Sequence, residues 1–363
     1  MDTLIKALKD LKINGTEEEE REFEDFKKQA IKDAVKEEKE VLSILKELKA
    51  HHTSTLKHNM MVARDTEYIA RQLGLSDDKA AALKIAALLH DIGKLDIHEA
   101  VLDLEGGEES EVWKTRNPEE PVPEGNLLKH ITLRDVIEHK AGKSADPEEY
   151  RRSFLEWLGR KGLERFLDRP LREYLNHHQH STRSILERLG IRKEIIDYAA
   201  GHHPSYFSSE DMKKLPKECA IIEVADKFNA IIQSEGVRNY FSKKLRTEAL
   251  DIIAQQMKKE YGGFFKTYEK ESLHVLVKRY LPPEVSSEIL PKAHRIISHL
   301  KEHMTKFRTI DNEEERKQAE RIVGLIAVTL ALSREFGDVL DNSTARKLED
   351  YEKELKEAIS SYS

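Results

Sequence analysis

The chemistry in this chain gathers where imidazoles and carboxylates stand next to apolar runs. His90-Asp91 ends the run Ile85-Ala86-Ala87-Leu88-Leu89 and is followed by Ile92-Gly93-Lys94. His58 sits in the early turns of an amphipathic stretch. His177, His178 and His180 crowd together just before Ser181, and His202-His203 follow Ala199-Ala200-Gly201. Asp226 lies inside the apolar stretch that begins at Ala220, with Phe228 just beyond it. Such groups are costly to bury unless something binds them. Neutral histidine nitrogen and aspartate oxygen are both ligands of first-row divalent metals. Taken singly, each has a plainer reading as a hydrogen-bonded core histidine or an exposed helix aspartate. The ordered set is harder to dismiss: 12 of the 16 histidines fall between His51 and His203.

Helices must hold these groups. Apolar residues from Phe23 to Leu48 recur at steps of three or four, which predicts an amphipathic helix over Thr16 to Ala50 with Thr16 as N-cap. The run Glu17 to Glu20 suits the positive end of its dipole. Further helices are expected from Ser54 to Leu73 and from Ser76 to about Gly93. Residues 103–125 hold eight acidic and two basic residues, three prolines and three glycines, and read as an exposed loop. Helical pattern returns from Leu127 to Asn176, with Asp146-Pro147 as N-cap and N1 proline. It continues over Ser181 to Leu189, Lys193 to Ala200 and Leu215 to Gln233, and through the rest of the chain with a break at Pro282-Pro283. Strand-like alternation is nearly absent, so the expected fold class is all-α.

Composition excludes several functions. The net charge of −7 over 363 residues argues against binding nucleic acid in bulk or an anionic membrane. The single cysteine, Cys219, rules out a disulfide framework and suits a reducing cytoplasm. It reads as a small buried hydrophobe. The longest apolar stretch, Ile322 to Leu332, is too short to span a bilayer, and no signal peptide is expected.

These residues resemble the HD superfamily of metal-dependent phosphohydrolases, most closely its HD-GYP branch. Leu88 to Leu95 matches the defining motif, and Thr55-Leu56-Lys57-His58 with Val62-Ala63 resembles the first ligand helix. His178, with Ile185-Leu186 and Gly190 beyond it, fits the third motif. Gly201-His202-His203 matches the paired histidines, and Val224 to Ala230 the last ligand helix. The resemblance covers about 52–248. It departs in two places. His203 is followed by Pro204-Ser205-Tyr206-Phe207 where the branch has a glutamate and a GYP loop, which puts the cyclic di-GMP substrate of that branch in doubt. The stretch 103–176 also intervenes as an insert that would cap or border the site. The implied organisation is an N-terminal helical extension (1–50), an HD domain (51–250) and a C-terminal helical region (251–363).

The resemblance implies one metal held by His58, His90, Asp91 and Asp226. A second would be held by Asp91, His178, His202 and His203, with Asp91 bridging. Iron or manganese is favoured by the family, and zinc or nickel suit the same ligands. A metal-activated hydroxide would attack the phosphorus of a small, nucleotide-like phosphoester. Lys94 would stabilise the developing charge; otherwise it complements a helix dipole. His177 and His180 are alternatives to His178. His51, His52, His98, His130 and His139 read as bystanders, the last two exposed on the insert. A solvated face is the better account of His299 and His303. Two other functions fit the resemblance, a di-iron oxygenase and a non-catalytic signalling scaffold. The helix from Thr16 packs on the bundle or, as its spacing also allows, pairs two chains into a homodimer.

Overall fold

Several helix starts in this protein are set by side chains that accept the first free backbone N–H groups. The computed structural model describes residues 38–104, 108–124, 126–203, 214–232, 246–260, 266–307, 313–337 and 339–360. Over these residues the fold is all-α, and the β-pairing among them is an isolated bridge between Thr132 and Pro170. The chain divides into two compact units, Met1–Lys243 and Lys244–Ser363.

The first unit begins with α1 (Glu38–His51), α2 (Thr53–Gln72) and α3 (Asp77–Leu89). The His52 ring caps α2 by accepting from Thr55 N, and Ser76 caps α3 by accepting from Lys79 N. Asp77 and Asp78 add negative charge at the first turn of α3. α3 packs along α2, and α1 closes on α2 through Leu42, Ile44, Leu45 and Leu48. The C-terminal third or so of the helix expected from Thr16, from Glu38 onward, therefore lies on the bundle. The rest, with the run Glu17 to Glu20, lies outside the described residues. After α3 the chain tightens into a 3-10 turn, Ile92–Asp96. Then, past the insert, come α9 (His178–Arg188), α10 (Lys193–Ala200) and α11 (Cys219–Ile232). α9 packs on the 3-10 turn and α10, α10 on α3, and α11 on α2.

The insert is a helical layer with its own core. α4 (Glu99–Leu102) leads into it, and it comprises α5 (Glu108–Arg116), α6 (Leu133–Lys143), α7 (Pro147–Lys161) and α8 (Leu171–Asn176). Val112, Ile131, Leu133, Val136, Phe154, Leu158 and Tyr174 are buried in one cluster. Asp146 caps α7 ahead of Pro147, as expected. Two expectations fail here. The stretch 103–125 is not all loop, because α5 forms within it. Its acids (Glu108, Glu109, Glu111) fall in the first turn and its bases (Lys114, Arg116) in the last, which suits the dipole, and Val112 anchors it to the core. His139 is not exposed. α6 turns it towards α5, where its Nδ1 lies 2.8 Å from Thr115 Oγ1 and its Nε2 3.3 Å from Glu108 Oε1.

The second unit holds α12 (Arg246–Glu260), α13 (Lys266–Glu284), α14 (Leu290–Phe307), α15 (Glu313–Glu335) and α16 (Asn342–Ser360). The expected break at Pro282-Pro283 takes another form: α13 runs through both prolines and loosens into a π-helical turn, Val285–Ile289. Prolines remove two N–H donors and crowd the preceding turn, so a wider helical turn follows them. Glu284 then serves α12, accepting from Arg246 N (2.8 Å) and Thr247 N (2.7 Å). Among the described residues no helix is long and apolar enough to cross a membrane.

Candidate metal centre

Four helices and a turn of the first unit aim their functional side chains at one buried spot. His58 lies on the buried face of α2, with Val62, Asp65 and Ile69 along the same stripe. Asp226 comes from α11, and its Oδ1 is 2.7 Å from His58 Nε2. His90 and Asp91 stand where α3 gives way to the 3-10 turn. His90 Nε2 is 3.5 Å from Asp91 Oδ2 and 3.6 Å from Asp226 Oδ1. His178 opens α9, with Nε2 3.5 Å from Asp91 Oδ1 and 3.3 Å from His202 Nε2. His202 follows the C-terminus of α10, and His203 Nε2 reaches within 3.7 Å of Asp226 Oδ2. Lys94 sets its ammonium against Asp91 Oδ2. All eight residues singled out from the sequence thus meet at one place.

Backbone contacts fix which ring nitrogen faces the centre. The Nδ1 atoms of His90, His178 and His202 lie 2.7, 2.6 and 2.6 Å from the carbonyls of Ala87, Leu175 and Ala199. A carbonyl only accepts, so each Nδ1 carries the proton and each Nε2 presents a lone pair to the centre. Such locking of the far nitrogen is how ligand histidines are oriented. His90 Nε2 is fully buried and makes no hydrogen bond. An orphaned buried acceptor among carboxylates fits a cation at that spot.

Electrostatics agree with the donor set. Burial opposes ionisation of Asp91, yet Lys94, His90 and His178 hold it well below the usual carboxylate range. Burial likewise opposes Asp226, and His58 and His90 hold it low. Burial pushes His178 down to about 4 and His203 down to about 3. It also carries His202 well below its ordinary value, with His203 adding to the effect. His90 goes up instead: burial disfavours its charge, but Asp91 and Asp226 outweigh it. Neutral His178, His202 and His203 beside ionised carboxylates are in the states that bind a divalent ion, and a bound cation would take the place of the proton that the carboxylates favour on His90.

Ligand atoms fall into overlapping groups, each within 4.8 Å: His58, His90 and Asp226; His90, Asp91 and His202; His178, His202 and His203. His177 and His180 belong to none of these groups; His177 packs on Phe166 with ring centroids 5.0 Å apart. His178 is therefore the histidine of its trio at the centre. Glu108, Glu111 and His139 form a further group within the same limit. Lys140 and Lys143 already hold those carboxylates, so it is an ion-pair network.

Sequence reasoning missed the supporting polar groups. Asn59, fully buried, donates to Leu88 O at 3.0 Å and ties α2 to the turn before His90. Asn229 donates to Asp65 Oδ2 at 2.9 Å, one turn beyond Asp226. Thr182, on α9, bonds through its hydroxyl to the His90–Gly93 turn. Their one signal is position: each stands one or three to four residues from a candidate ligand on a helix. His98 and His52 cap helices, and His51 Nε2 lies 2.8 Å from Ile97 O, so these three have structural work. Cys219 is buried and its thiol pushed up by burial, as expected for a packed residue.

Residues 55–148 match the family model of the HD domain. A curated relative, the 3'3'-cGAMP-specific phosphodiesterase 3 of Vibrio cholerae, is 47% identical over 60 residues, or 16% of this chain. The match spans 13% of that relative's length. Among solved structures, the HD domain of the phosphodiesterase PgpH of L. monocytogenes is 18% identical. It covers 65% of this chain and 96% of its own, with a TM-score of 0.36. The same domain in complex with cyclic-di-AMP gives 16% identity, 65% and 94% coverage and a TM-score of 0.37.

Proposed function

We propose that this chain, which carries an HD domain, is a metal-dependent phosphohydrolase acting on a small nucleotide-like phosphoester, with cyclic dinucleotides the first class to test. The observation that carries the reading is the orphaned His90 Nε2, fully buried within 3.6 Å of the carboxylates of Asp91 and Asp226. The curated relative's activity supports the cyclic-dinucleotide class. The GYP-loop position, 204–207, lies outside the described residues, and its sequence departs from the branch that acts on cyclic di-GMP, so that dinucleotide is not singled out within the class.

In this reading His58, His90, Asp91 and Asp226 would hold one divalent ion, and Asp91, His178, His202 and His203 would hold a second, Asp91 belonging to both sets. Iron and manganese are the favoured ions, and zinc and nickel suit the same donors. Such a site, when loaded, would supply a water of near-neutral pKa and positive charge facing a phosphate. The chain's own groups do the rest. Asp91 and Asp226 stay ionised and so remain ligands at neutral pH. Nδ1 contacts to backbone carbonyls keep the Nε2 lone pairs aimed inward. Buried surroundings exclude bulk water and strengthen each electrostatic contact. Lys94, partly exposed beside Asp91, supplies positive charge where negative charge grows on the phosphate oxygens.

Metal analysis joined to a substrate panel tests this. Purified protein should hold about one or two transition-metal ions per chain, as a binuclear template implies. It should release product from phosphomonoesters, cyclic nucleotides or cyclic dinucleotides without taking up oxygen. Asp91→Ala should lose metal and activity together. Unchanged metal content in Asp91→Ala overturns the site, and oxygen uptake without phosphoester cleavage overturns the reaction class. Light scattering tests whether the chain is a homodimer.

A further inference from the structure

Thr182 occupies the seam between two ligand-bearing segments and is fully buried. It stands four residues after His178 on α9, hence on the same face of that helix. Gly93 N donates to its Oγ1 at 3.0 Å, and Oγ1 lies 3.0 Å from His90 O. The amide proton of Gly93 leaves no choice of direction: the hydroxyl accepts there and spends its own proton on His90 O. One side chain therefore satisfies the two main-chain groups that bracket Asp91, both at the end of a helix where such groups lose their partners. The approach is close because residue 93 is glycine. A Cβ there would stand 1.9 Å from His178 O and 2.6 Å from Thr182 N. The backbone of α9 is thus seated directly on the turn that carries Asp91. The separation at stake is that of Asp91 Oδ1 and His178 Nε2, 3.5 Å, which are two ligand atoms of one ion in the proposed site.

We propose that Thr182 is a positioning residue: its hydroxyl holds α9 in register with the His90–Gly93 turn and so sets the geometry in which Asp91 and His178 bind a cation. Val has the same shape without the hydroxyl and leaves Gly93 N–H and His90 C=O without partners in a buried seam. Ser keeps both hydrogen bonds. The hydroxyl touches neither ligand side chain and acts through the main chain alone.

This inference rests on the proposed metal-dependent function, and its test separates the two. Metal-stripped full-length protein is titrated with Mn²⁺ and with Zn²⁺ by calorimetry, without substrate, for wild type, Thr182→Val and Thr182→Ser. Thr182→Val should bind the ions about 10-fold or more weakly, the range found when an outer partner of a ligand is removed. Thr182→Ser should stay within about 3-fold of wild type, well short of that range. Where activity is measured, kcat should fall in Thr182→Val with KM little changed. Thermal melts of the metal-free proteins show whether fold alone is affected. If Thr182→Val fails to fold, Thr182→Ala removes the hydroxyl without adding bulk and is titrated instead. Wild-type affinity in the variant lacking the hydroxyl, with only a lowered melting temperature, overturns the positioning role and leaves the function standing. Weakened binding in Thr182→Ser equal to that in Thr182→Val also overturns it. A wild-type protein that binds neither ion overturns both readings.

Discussion

His98 shows at the scale of one residue how burial turns a bystander into a pH-sensitive part of the fold. Its ring stacks on Phe154 with centroids 3.8 Å apart, and its Nδ1 accepts from Ala100 N to cap α4. Burial, with some help from His51, pushes its pKa down to about 4. Above pH 6.5 the ring is neutral folded or unfolded and costs nothing. Between 6.5 and 4 the unfolded chain takes up a proton that folded His98 refuses, so stability falls as pH falls through that window. With the partial exposure of the ring, the loss attributable to this residue is about 1–3 kcal/mol. His98→Asn keeps a capping side chain and removes the titration. Urea unfolding of both proteins between pH 7 and 4.5 should show a shallower decline for the variant. Parallel declines would refute the assignment.

At the scale of elements, the decisive contact is between α9 and the 3-10 turn. Gly93→Ala would place a methyl carbon 1.9 Å from His178 O, and backbone cannot yield as a side-chain tip can. α9 must move off the turn, carrying His178 away from Asp91. A loss of about 2–4 kcal/mol in stability is expected, at the upper end of overpacking effects, together with loss of bound metal. A melt and a metal assay on one preparation check both; wild-type metal content at a wild-type melting temperature would show that the seam is looser than drawn. Three candidate ligands were legible in the sequence because they break an apolar pattern: His90-Asp91 after Leu88-Leu89, and Asp226 amid Ile222, Val224 and Phe228; His178 was singled out only by its spacing to Ile185-Leu186. The supporting groups were not legible for the same physical reason. Thr182 sits in the polar stretch His177 to Arg183, where a buried hydroxyl and an exposed one look alike. α5 was hidden because glycines and prolines flank it and acidic residues dominate it, so loop composition outweighed the single anchor, Val112. The run through Pro282 and Pro283 was likewise hidden, since proline signals a stop in the local chain and only the surrounding unit shows the helix continuing.

At the scale of the whole molecule, charge is distributed unevenly, and each of the two units has buried residues of its own. Residues 103–125 carry −6 of the net −7 (two basic residues against eight acidic). Two of those eight acids, Glu108 and Glu111, are answered within the insert by Lys140 and Lys143. All seven candidate ligands fall within Met1–Lys243, and the second unit, Lys244–Ser363, has a buried core of its own around Leu250, Ile253, Leu276, Val277, Leu281 and Ile326. A cavity made in that second core should therefore damage local stability without reaching the centre. Leu276 is fully buried, and Leu276→Ala should cost about 2–5 kcal/mol, depending on how far the core closes around the void. Calorimetric melting should show the loss. Metal content at 25 °C, well below the melt, should match wild type, because no ligand or ligand-orienting carbonyl lies in that unit. A fall in bound metal at 25 °C in Leu276→Ala would mean that the centre depends on the second unit, and the self-sufficiency of the first unit would have to be given up.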